Sequence, residues 1–148
     1  MPRKNHSLVR RQLDTTLARF EPVTDLAPPG KGWIRAIRDA LGMSGRQLAD
    51  RLGLSKQSVA RMEKDEMTGA LSLKTLSRVA EGLDCVLVYG LVPRESLEKM
   101  AHDRARSLVG ERLGHANEAR RHGGQDQVQD MVEDLVVRLP RDFWNEDQ

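Results

Sequence analysis

Lys56, Gln57, Ser58 and Arg61 are the residues whose types and spacing most plainly suit contact chemistry. Two are cations and two are neutral hydrogen-bonding side chains. All four point outward from one helix if Val59 and Met62 point inward. Side chains of that length and polarity reach base edges and phosphates in a groove of duplex DNA, and that is the chemistry they predict.

The elements that would position them are written in the neighbouring residues. Ser44 is of the N-cap type and Gln47 follows at the third helical position, a capping-box arrangement. Leu48, Ala49 and Leu52 then line one face of a short helix, and Gly53 suits the positive φ that follows a helix end. Leu54 fills the turn and Ser55 caps the second helix. Ala49 provides the small side chain that two short helices need where they cross. Caps, Gly-Leu-Ser turn and small residue fall in one register, which predicts a helix-turn-helix over residues 43–64 and not merely a helical hairpin.

Other chemistry is not expected. His6, His102, His115 and His122 are scattered, and none stands at metal-ligand spacing with Cys85. Pro29-Gly30-Lys31-Gly32 lacks both the Gly-Lys-Ser/Thr pattern and the preceding strand of a phosphate loop. No nucleophile has a candidate base beside it in sequence. The expectation is a binding protein with no catalytic residues, no metal and no cofactor.

Composition narrows the setting. The 148 residues suit one domain with appendages, and aromatics at 3% favour helices packed by aliphatic side chains. A single cysteine excludes an internal disulfide. No apolar run approaches the roughly 18 residues of a membrane span, and the basic start MPRKNHSLVRRQL lacks the apolar centre of a signal peptide. A cytoplasmic, nucleoid-associated protein without membrane contact is expected. Formal charge is only +2, but residues 31–64 hold eight basic and three acidic residues whereas 126–148 hold two and seven. A net +5 beside a net −5 suggests two different partners.

Five segments are expected, in a mainly α fold with one short strand. Residues 1–26 form a helical arm, with Val9, Leu13, Leu17 and Phe20 as its apolar stripe and the helix ending before Pro22. A Pro/Gly linker covers 27–32. The helix-turn-helix domain covers 33–84: Trp33, Ile34, Ile37 and Leu41 mark its first helix, and Ser72 caps its last, with Leu73, Leu76, Val79, Ala80 and Leu83 inward. Residues 85–92, CVLVYGLV, read as a strand covered on both faces. The chain offers no second strand to pair with it, so the same strand of a second copy is the expected partner. A homodimer follows, joined through Val86, Leu87, Val88, Tyr89 and Leu91. Residues 93–148 form a helical extension with an acidic tail: one helix over about 94–121 with Leu97, Met100, Ala101, Ala105 and Leu108 as its apolar side, and another over 126–139 striped by Val128, Met131, Val132, Leu135 and Leu139. That second stripe needs an apolar surface from this chain, its symmetry mate or another protein.

The helices from Trp33 to Leu83 resemble the core of lambdoid phage repressors and the wider xenobiotic-response-element class of regulators. Nearly the whole chain resembles the group called mobile mystery protein A, through GWIRAIRDALGMS (32–44), RQLADRLGLSKQSVARMEK (46–64), LSLKTLSRVAEGLDC (71–85), PRESLEKMAHDRAR (93–106) and PRDFW (140–144). The resemblance makes Lys56, Gln57, Ser58 and Arg61 groove-facing and gives Ser44, Arg46, Ser55 and Lys64 phosphate contacts. It also implies an ion pair between Arg38 and Glu63. Repressors often have glutamine where this chain has Gly45, which removes one contact. Members are typically encoded beside a Fic-domain protein, which implies a dimeric repressor that regulates its own operon or, alternatively, an antitoxin that inhibits a Fic-family toxin by direct contact. Ser77-Arg78-Val79-Ala80-Glu81-Gly82 fits an inhibitory motif of such antitoxins, but Val79 and Ala80 suit a helix core and Glu81-Gly82 suits a helix end.

Overall fold

Serine caps and short apolar stripes divide the middle of the chain into four helices. In the computed structural model, which describes residues 5–114 and 124–146, these are α2 (Trp33–Ala40), α3 (Gly45–Leu52), α4 (Lys56–Thr68) and α5 (Leu73–Gly82). They are preceded by α1 (His6–Leu17) with a 3-10 turn over Ala18–Val23, and followed by α6 (Leu97–Gly114) and α7 (Gln125–Arg138). The chain folds as two units. One is Asp25–Tyr89; the other joins Met1–Thr24 to Gly90–Gln148.

The first unit packs α2–α5 around Ile34, Leu48, Ala49, Leu52, Val59, Val79 and Leu83, all buried. Met43, Leu54, Met62 and Leu76 close its edges. Leu73, expected inward, is half exposed: at the first position of α5 its side chain tilts back past the packed layer. Leu41 likewise falls beyond the end of α2 and is exposed.

The strand expected over 85–92 is not formed. Among the described residues there is no β-strand, and this stretch has no regular structure. A β-ladder exists only where a second backbone exchanges N–H···O bonds, and one chain offers no such neighbour. The aliphatic run is laid open instead, with Val86 at 86%, Val88 at 71% and Leu91 at 85% exposure.

The second unit assembles α1, α6 and α7 around Ala101, Ala105, Val109, Val132, Leu135, Val136 and Phe143. The arm and the extension, written apart in the sequence, share this unit. Here α1 withdraws only part of its expected apolar stripe from water, since Val9 and Leu13 are exposed while Leu17, like Phe20 beyond it, is half-buried. It docks by a polar edge: the Arg10 guanidinium forks onto Glu98 at 3.0 and 3.1 Å. Asp14 accepts the backbone N–H groups of Leu97 and Glu98 at 2.7 and 3.2 Å. The first N–H groups of α6 have no partner within the helix, and a carboxylate satisfies them better than leucines could.

The stripe of α7 is also rotated from the expected one. Val132, Leu135 and Val136 are buried, whereas Val128 and Met131 sit at the rim with 37% exposure each. Two alanines on α6 make a narrow seat, and Phe143, buried to 1% exposure, returns after Pro140 to fill its end. Arg104 holds that return by donating to the carbonyls of Phe143 and Asn145. The apolar face of the acidic tail is therefore covered by this chain's own α6. Residues 115–121 of the helix expected over 94–121 lie outside the described residues.

Candidate nucleic-acid interface

Each helix of the turn is started and stopped by its own neighbours. Ser44 Oγ accepts the Gln47 N–H at 3.1 Å while Gln47 Oε1 accepts the Ser44 N–H at 2.8 Å, which closes a capping box on α3. Gly53 then takes φ 66°, a left-handed conformation that costs a side-chain-bearing residue. The Leu54 N–H returns to the Ala49 carbonyl at 2.9 Å, and Ser55 Oγ accepts the Ser58 N–H at 3.1 Å to open α4. Ala49 and Val59, each 1% exposed, lie in the shared core of the two helices.

With Val59 inward, Lys56, Gln57, Arg61 and Lys64 of α4 are exposed, as is Arg46 at the start of α3. Gln57, Arg61 and Lys64 follow at i, i+4 and i+7 and so form one row along the helix. Ser58 is half-buried, and its hydroxyl lies 2.9 Å from that of Ser55. One of the two hydroxyl hydrogens is used between them, which leaves one to donate to a phosphate oxygen. Ser44 is exposed at its cap and its hydroxyl hydrogen is similarly available.

Ion pairing sorts the basic residues into two sets. Lys31, Arg35 and Arg38 all approach Asp39, at 2.7, 3.9 and 3.4 Å. Arg46, Lys56, Arg61 and Lys64 enter no ion pair or hydrogen bond among the described residues. The outer face of the turn therefore keeps its positive charge while the first helix spends its own internally, an arrangement suited to polyanion attraction.

Arg38 and Glu63 meet, with Nε at 2.7 Å and Nη2 at 3.3 Å from the two carboxylate oxygens; Arg38 Nη1 also donates to the Met43 carbonyl at 2.9 Å. The bonds to Glu63 raise the Arg38 guanidinium above its ordinary value.

Three positioning features are not in the sequence reading. Arg51 of α3 donates to the Gly82 carbonyl at 3.2 Å, and Arg78 of α5 donates to the Leu52 carbonyl at 2.8 Å. Each arginine thus satisfies a C-terminal carbonyl of the other's helix. Gly82 itself is a close approach, because a Cβ there would stand 2.6 Å from Leu52 Cδ2. In the segment Ser77–Gly82, Val79 is buried and Ala80 and Gly82 are half-buried, while Ser77, Arg78 and Glu81 are exposed. The third feature is Glu66, whose two oxygens accept the N–H groups of Trp33 and Ile34 at 2.7 and 3.0 Å. Its sequence signal was the spacing of three from Glu63 together with the missing cap side chain at Gly32.

The expected dimer residues surround a second surface. Leu87 is half-buried while Val86, Val88 and Tyr89 are exposed. Trp33, Ile37, Leu76 and Leu83 join Val86–Val88 around an apolar groove of about 360 Å³.

Residues 34–89 match the family model described as helix-turn-helix. The matched residues span α2–α5, so the likeness is to a helix-turn-helix and lies within this unit. Neither curated proteins nor solved structures show a match to the chain. Among the described residues no helix is long and apolar enough to cross a membrane.

Proposed function

We propose that the protein is a sequence-specific repressor that binds duplex DNA as a homodimer and regulates its own operon. The observation that supports this best is the row Gln57, Arg61, Lys64, exposed and without internal partners on a helix that is fixed on its opposite side. Gln57 and Arg61 read base edges in the major groove. Lys64, Lys56, Arg46 and the two cap serines hold the phosphates on either side. No catalytic step belongs to this reading.

Dimerisation is supported by the exposed run Val86, Val88, Tyr89 and Leu91, whose side chains would be withdrawn from water between two copies. Two recognition helices related by a twofold axis then address half-sites about 34 Å apart. The operon partner suggested by the resemblance is a Fic-domain protein. The alternative is a direct inhibitor of such a toxin, to which Ser77–Gly82 would present only Ser77, Arg78 and Glu81, since Val79 is held in the core.

Footprinting on the operon's own promoter tests the reading, with sedimentation in the same buffer. A protected inverted repeat and a dimer at micromolar concentration are expected. Equal affinity for promoter and random DNA at physiological salt would refute sequence-specific regulation, and a monomer with full DNA affinity would refute the dimer.

A further inference from the structure

Helix α2 begins without a cap of its own. Its N-cap residue is Gly32, which has no side chain to offer, and the free N–H groups of Trp33 and Ile34 are instead taken by Glu66 from the last turns of the recognition helix. Gly32 is buried with φ 82° and ψ 163°, and a Cβ there would stand 2.9 Å from Glu66 Oε2. The glycine is what lets the carboxylate come so close, and only glycine holds that backbone conformation without strain.

Glu63, one turn earlier on the same face of α4, binds Arg38 in the last turn of α2. The two helices are therefore joined at both ends of α2 by two carboxylates three residues apart. Val59 and Met62 hold α4 in the core, and the second carboxylate adds a restraint on its tilt against α2. Gln57 and Arg61 lie on the remaining length of α4 and read bases only at a set depth and tilt.

We propose that Glu66 is a positioning residue for DNA recognition, which fixes the angle of the recognition helix by capping α2 from across the domain. This rests on the reading of α4 as a major-groove helix. Base contacts need that angle held, whereas contacts to the phosphates tolerate a small tilt. Loss of Glu66 should thus reduce discrimination between sequences more than it reduces attraction to DNA.

The test uses the full chain and two duplex probes: one recovered with the wild-type protein from a random-sequence pool, and one scrambled version of it. Affinities are measured well below each variant's melting temperature, with circular dichroism confirming the fold. Glu66→Ala should lose about tenfold on the selected duplex and no more than about twofold on the scrambled one. Glu66→Gln keeps one carbonyl oxygen for one N–H and should fall between, so it carries the test even if the alanine variant does not fold. Val79→Ala, a core truncation away from the joint, should lower the melting temperature and keep the ratio of the two affinities. If both Glu66 variants keep the wild-type ratio, or Val79→Ala loses it in step with its melting temperature, Glu66 is only a stabilising cap. A wild-type protein from which selection recovers no preferred duplex would instead remove the DNA-recognition reading itself.

Discussion

Serine hydroxyls three residues away cap α3, α4, α5 and α6, but the first N–H groups of α6 are taken as well by Asp14, 83 residues before Leu97. The same contrast runs through the two units. In the helix-turn-helix unit most of what shapes each helix lies within a few residues of it. In the α1–α6–α7 unit the anchors are Arg10 on Glu98 and Arg104 on the carbonyls of Phe143 and Asn145, partners 88, 39 and 41 residues apart. Both units nevertheless solve one problem in the same way. The first N–H groups of a helix are given a carboxylate from another helix: Glu66 at α2, which has no cap side chain of its own, and Asp14 at α6, beside the Ser96 cap. A borrowed cap does two jobs, since it satisfies the orphan N–H groups and also docks the lender.

The largest expected effect separates the units. Phe143→Ala should destabilise the α1–α6–α7 unit by about 3–5 kcal/mol, as a fully buried aromatic leaves a cavity. Hydrogen exchange should then accelerate in α6 and α7 while amides of α3 and α4 keep their protection. Equal acceleration in both sets would show that the units unfold as one and would break the comparison.

A second pair of substitutions sharpens the division within the binding face. Arg61→Ala should cost about 1–3 kcal/mol on the preferred duplex and relax preference at one base pair. Lys64→Ala should weaken all duplexes alike and reduce the salt slope by about 1. Titrations over a range of salt concentrations distinguish them; identical behaviour of the two variants would mean that the row does not separate base reading from phosphate holding.

Asp14→Ala removes the borrowed cap of α6 and should cost about 0.5–2 kcal/mol. Asp14→Asn, which keeps one acceptor oxygen, should recover part of it. Denaturant titration monitored in α6 checks this. An unchanged midpoint in the alanine variant would mean that Arg10 alone docks α1.

The smallest expected effect is a gain. A Cβ at Gly45 meets nothing within 4 Å, and the residue does not have positive φ. Gly45→Ala should stabilise the helix-turn-helix unit by about 0.4–1 kcal/mol through the unfolded chain's lost freedom. A lower melting temperature would show that this helix start needs a glycine for a reason other than space.

Much of the helix-turn-helix was legible because its causes are local. Ser44 with Gln47, Gly53 after Leu52, and Ser55 before an apolar Val59 each act across one turn of backbone, and such causes survive in a linear reading. The charge asymmetry was legible too, since it needs only counting. The strand over 85–92 was misread because an aliphatic run records what a segment avoids, water, and not whether a second backbone is present to bond it. The stripes of α1 and α7 were misplaced for a related reason. Periodicity names the apolar residues, but Arg10 and Asp14 outbid Val9 and Leu13 once the start of α6 stood beside them, and the narrow alanine seat on α6 chose Val136 over Val128.

The sequence by itself determined where the helices of the turn begin and end, and which polar residues of α4 are left facing outward. Both follow from interactions over three or four residues, whose geometry the backbone dictates. Only the tertiary structure decided which cations stay unpaired, which helix starts are capped from afar, and that Glu66 meets Trp33 and Ile34. The caps from afar join groups 32 residues or more apart, and the identity of such a neighbour is written nowhere near the residue that meets it.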